Sequence, residues 1–79
     1  MQTPEQMTRI KTRLAEVNQD AFNLVASFDH STRLINQGKR YSLVEVQLKG
    51  VLALEHDDSK AVQVRRYISY NTLQTYEVV

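Results

Sequence analysis

Met7, Ile10, Leu14, Val17, Ala21, Leu24 and Phe28 form an apolar ladder whose steps alternate three and four residues without a miss. At that spacing a helix presents one continuous seam to a neighbour. The ladder therefore predicts a long amphipathic helix over about 4–28. Its start is well marked. Thr3 suits the N-cap, Pro4 the first helical position, Glu5 the positive end of the dipole, and Gln6 completes a T-x-x-Q capping box.

Two partners could bury that seam: a second copy of the chain, or the chain's own sheet. Seventy-nine residues bury only roughly 60–65% of the surface an unfolded chain exposes, so such a core is marginal alone. The chain has no cysteine, which removes disulfides and weakens the case for structural zinc. Oligomerisation is the remaining reinforcement. The stripe is also narrow up to Leu14, as suits a single partner helix, and widens where Phe22 and Val25 lie off the seam. Pairing between copies is thus the expectation: a homodimer joined through the seven ladder residues.

After the ladder, Asp29, His30, Ser31 and Thr32 are poor helix formers that compete for backbone hydrogen bonds, so the helix should end or kink there. A short helical turn is expected over about 32–37, with Gly38 at its C′ position. Residues 41–56 fit both helical and strand spacing. Gly50 would cost a helix about 1 kcal/mol relative to alanine, and Glu45, Gln47 and Lys49 alternate with Val44, Val46 and Leu48 as in a strand. The run of Val62, Val64, Ile68 and Tyr70 supplies an apolar face for a second strand. The expectation is an antiparallel β-ribbon of about 42–55 and 61–71, turning through His56, Asp57, Asp58, Ser59 and Lys60. Pairing Glu55 with Ala61 aligns the apolar sets and puts Arg66 opposite Gly50. Residues 72–78 either extend the second strand or fold back as a third. The fold class is α+β, with residues 1–79 forming a single domain.

The chemical inventory is thin. Asp29, His30 and Ser31 are triad residue types, but adjacency in sequence is not the convergence a triad needs, and a capping turn accounts for them. His56, Asp57 and Asp58 are too few, without a second His or Cys set, to specify a metal. With only Gly38 and Gly50 there is no glycine-rich phosphate loop. No enzyme, metal or cofactor is expected.

Ten basic residues stand against nine acidic, split four against four over 1–38 and six against five over 39–79. That balance disfavours a dedicated nucleic-acid binder. No apolar run approaches a membrane span and no signal pattern opens the chain, so a complete cytoplasmic protein is expected. Lys39-Arg40-Tyr41 and Arg65-Arg66-Tyr67 repeat a basic-basic-aromatic triplet. On the ribbon face opposite the apolar ladder, Lys49, Arg65 and Tyr67 form the candidate partner-binding set. The expected function is a non-enzymatic adaptor, regulator or inhibitor that self-associates through its helix and binds a protein with this face. The alternative is a small nucleic-acid binder using the same residues, with Lys39 and Arg40 nearby.

Overall fold

A computed structural model describes residues 2–56 and 63–79, and it is α+β: helices on one face of an antiparallel sheet. Helix α1 runs over Pro4–Val17 and α2 over Gln19–Val25. Strands β1 (Arg33–Asn36), β2 (Lys39–Val46), β3 (Gly50–His56) and β4 (Gln63–Ser69) follow, then a turn of helix, α3 (Tyr70–Leu73), and β5 (Glu77–Val78). The sheet order is β4-β3-β2-β1-β5. The chain climbs to one edge as a meander running from β1 to β4, and its tail returns to pair with β1 at the other.

The expected capping box opens α1. Thr3 Oγ1 accepts from Gln6 N at 3.2 Å and Gln6 Oε1 accepts from Thr3 N at 2.9 Å. The single helix over 4–28 is corrected at Asn18, which ends α1 by donating its N–H to Leu14 O at 2.7 Å and caps α2 by accepting from Ala21 N at 3.2 Å. An asparagine side chain that competes for backbone groups breaks the helix without breaking the ladder's spacing. Met7, Leu14, Ala21 and Phe28 stay buried across the break, Ile10 and Leu24 pack at the margin, and Val17 swings out to 55% exposure. The chain's own sheet covers the seam: Leu34, Tyr41, Leu43, Val46, Val51, Ala53 and Ile68 complete the core, with Tyr70 and Leu73 from α3.

The helical turn expected at 32–37 is strand β1 instead. Gln37 and Gly38 both have positive φ (52° and 75°) between paired Asn36 and Lys39, a two-residue hairpin turn whose twist matches the flanking strands. Glycine's tolerance of positive φ is used here, but to reverse a strand rather than to end a helix.

The strand expected at 42–55 is two strands. The chain reverses at Gln47–Lys49, where Gln47 N donates to Gly50 O at 2.8 Å and the buried Tyr70 hydroxyl donates to Gln47 O. Burial pushes the Tyr70 phenol up to about 12. Consequently β3 pairs with β4 in a register three residues from the expected one: Gly50 opposes Ser69, Ala53 opposes Arg66 and Glu55 opposes Val64. An odd shift inverts a strand relative to its neighbour. Val51, Ala53 and Glu55 therefore face the helices, while Leu52 and Leu54 face away. Ala61 and its expected pairing, and the 57–60 part of the connection, lie outside the described residues. A β-bulge between Leu43 and Glu45 changes the parity of β2, so Tyr41, Leu43 and Val46 all point inward. Of residues 72–78, only 77–78 form the folded-back strand, because Ser69 caps α3 by accepting from Thr72 N.

The N-terminus is tied to the sheet by a side chain. Where β1 ends, Gln2 takes the place beside Val46: its Oε1 accepts from Val46 N at 2.9 Å and its Nε2 donates to Val46 O at 2.8 Å. One amide thus satisfies both backbone groups that a neighbouring strand would have satisfied.

Candidate protein-interaction face

Among the described residues all helices lie on one side of the sheet, and none covers the other. Register fixes what it displays. One cross-strand row reads Arg33, Ser42, Leu54, Arg65 and the next Ile35, Arg40, His56, Gln63; a third carries Glu45, Leu52 and Tyr67. At strand spacing, Arg33 and Arg65 stand roughly 14 Å apart at opposite ends of their row, with Arg40 on a diagonal between them. Leu52 and Leu54 are only half-buried in the middle. The result is an apolar centre flanked by guanidinium groups.

Each residue of the expected partner-binding set is exposed. Arg65 and Tyr67 project from the bare face, Tyr67 at 53% exposure, and Lys49 lies in the β2–β3 turn at one end. Leu52, Leu54, Ile35, Arg33 and Arg40 share the face with Ser42, Glu45, His56 and Gln63. A continuous strand over 42–55, paired through Glu55 and Ala61, would put the two leucines on the covered side; the reversal at 47–49 puts them on the open one.

The two basic-basic-aromatic triplets each split across the sheet. Arg40 and Arg65 face outward, whereas Lys39 and Arg66 turn inward and converge on Glu55, at 3.0 Å from Oε1 and 2.7 Å from Oε2. The hydrogen bond from Arg66, then that from Lys39, holds the Glu55 carboxyl below the usual carboxylate range. Tyr41 is buried beside them, its ring 5.2 Å from that of Tyr76 in an edge-to-face contact. Burial, then the hydrogen bond with Tyr76, pushes its phenol up to about 12. Lys39 and Arg66 therefore form an ion-pair cluster with Glu55 on the helix side, and Arg40 and Arg65 stand on the opposite face.

A shallow hollow of about 450 Å³ opens on the bare face, lined by Arg33, Ile35, Arg40, Ser42 and His56 among others. Ser42 Oγ and His56 Nε2 are 2.6 Å apart, a nucleophile–base distance. The other side of the ring argues against that use. Gln63 Nε2, an amide donor, stands 3.4 Å from Nδ1, where a catalytic base carries an acceptor that orients its ring.

The Asp29–Ser31 segment is a capping turn: Asp29 Oδ1 accepts from Ser31 N at 2.7 Å and Ser31 Oγ at 2.6 Å. Those bonds lower the Asp29 carboxyl below its ordinary value. Lys11 donates to the Phe28 and Ala26 carbonyls, closing the end of α2, and burial lowers its ammonium. Among the described residues, no three His, Cys, Asp or Glu side chains cluster as a metal site, and no helix is long and apolar enough to cross a membrane. No family model matches this chain, and no curated protein or solved structure shows significant similarity to it.

Proposed function

We propose that this chain is a non-enzymatic interaction domain whose helix-free sheet face holds an acidic, partly apolar segment of a partner protein. The observation that carries this reading is the joint presence of half-buried Leu52 and Leu54 with Arg33, Arg40 and Arg65 on one open face. A face meant only for solvent does not require two leucines at its centre, and arginine and tyrosine are the residue types that most often dominate binding energy. Tyr67 is the one aromatic on the bare face among the described residues, and the chain's net charge is only +1. Both weigh against a base-stacking, phosphate-tracking surface.

Self-association belongs to the same proposal with a changed geometry. The seam fills the chain's own core, so two copies would meet through Val17 and the outward side of α1, or by exchanging helices.

The test is capture from the native host with immobilised wild type, Leu54→Glu and the triple alanine variant of Lys49, Arg65 and Tyr67. The expected result is a protein partner retained by wild type and lost by both folded variants. Equal retention by all three overturns the reading. Retention of nucleic acid, weakening steeply with salt, replaces it with the nucleic-acid alternative.

A further inference from the structure

We propose that the free edge of β4 is a strand-addition site for an extended acidic segment of a partner protein; this rests on the interaction role above and gives it a geometry. Strand β4 ends the sheet order and, among the described residues, pairs only with β3. Seven residues in strand conformation offer roughly 23 Å of edge. At the opposite edge β5 has two residues.

Edge strands are normally blunted by brevity, a proline, a bulge or a covering element. Strand β4 has seven residues and no proline, and its register with β3 is unbroken from Gly50–Ser69 to His56–Gln63. Gln63–Tyr67 are all exposed, so among the described residues no helix lies over this margin. What remains is charge, in Arg65 and Arg66 at the middle of the strand.

Those two arginines select the occupant. A second copy pairing antiparallel in register would bring Arg65 or Arg66 against its own counterpart, and directly opposed like charges destabilise a strand pair. An acidic strand meets the reverse condition. Arg66 is already engaged by Glu55, whereas Arg65 forms no ion pair among the described residues. Since side chains alternate, the incoming segment should carry Asp or Glu beside Arg65 and an apolar residue two positions along, beside Tyr67. On the helix side, Val64, at 43% exposure, and Ile68 call for apolar neighbours. Backbone hydrogen bonds would supply affinity and this alternation the specificity.

The experiment uses the full chain, amide-resolved NMR and three synthetic peptides of about ten residues. One carries glutamates among valines and threonines; the second replaces the glutamates by lysines; the third is the acidic peptide N-methylated at alternate residues. The acidic peptide is expected to bind and to slow exchange of the outward β4 amides. Lysine replacement, or Arg65→Glu, should each weaken it about tenfold or more, and N-methylation should abolish it. If the N-methylated peptide binds equally well and perturbs Leu52 and Leu54 instead, strand addition falls while the open-face reading stands. Failure of the acidic peptide to bind, or β4 amides already protected in the free protein, overturns strand addition outright. Protection that grows with protein concentration does so in favour of a second copy.

Discussion

The ring of Tyr67 lies across Gly50, so closely that a β-carbon on the glycine would stand 2.9 Å from both Cζ and Oη. The same β-carbon would lie 2.3 Å from the Ile68 carbonyl oxygen, which is backbone and cannot rotate away. An aromatic packed over a strand glycine covers the backbone that the glycine leaves bare.

Gly50→Ala should therefore destabilise the fold by about 2 kcal/mol or more, although alanine loses less conformational entropy on folding. Tyr67→Ala should recover only part of the loss, because the carbonyl contact remains. Arg66→Ala should add independently, since Arg66 sits on the other face. Denaturant titrations of the single and double variants measure all three. A Gly50→Ala chain as stable as wild type would mean that β3 can slide past β4 at low cost.

Glu55 is 6% exposed between Lys39 and Arg66, and removing its charge strands both cations. Glu55→Gln should melt lower than wild type at neutral pH. Its folded pKa lies below the unfolded value, so the stabilisation is complete above the unfolded pKa and is lost as pH falls through the folded one. The gap between the two melting temperatures should thus begin to close below about pH 4.3. A gap constant down to pH 3 would mean that the carboxylate charge is not what holds the two cations.

Leu14 is 0% exposed within a single chain. Leu14→Ala should cost about 2–5 kcal/mol, and Leu14→Glu should abolish folding rather than release a folded monomer. Val17→Glu should leave stability nearly unchanged. Light scattering and circular dichroism on both variants separate the roles of the two residues. A folded, monomeric Leu14→Glu would place the seam between subunits after all. Dissociation by Val17→Glu would locate self-association at the exposed end of α1.

The capping box and the inward set from Met7 to Phe28 were readable because each depends on spacing within one segment. Arg65 and Tyr67 fall on the open side for the same reason, since they alternate with Val64 and Ile68 within one strand. The break at Asn18 left no trace in the ladder, because one residue supplied both the stop and the new cap. The β3 register failed for a different cause. Val51, Leu52, Ala53 and Leu54 are apolar on both sides, so alternation could not say which pair faces the helices. The larger pair faces out, and the bulge at Leu43/Glu45 hid the parity change in β2. Gln37-Gly38 suits a hairpin turn as well as the helix end expected there, and the positive φ at both positions makes it the turn.

Gln2→Ala should cost about 1–3 kcal/mol, since it leaves the N–H and C=O of fully buried Val46 without their partner. Gln2→Glu keeps the acceptor for Val46 N but sets a carboxylate oxygen against Val46 O, so it should cost at least as much. Melting curves of the alanine and glutamate variants suffice. Wild-type stability in both would show that water replaces the amide without loss.

That clamp joins positions 44 residues apart, and Val79 N reaches back to Arg33 O from the other end of the chain. The hairpins between them close over a few residues each. Closing a longer loop forfeits more entropy before any contact repays it, so the meander forms early and gives the two ends somewhere to dock. In the reverse direction, Gln2 and Val79 are the latches that open earliest. Native-state exchange should find β2 and β3 protected longest, and the molecule should come apart from its termini inward.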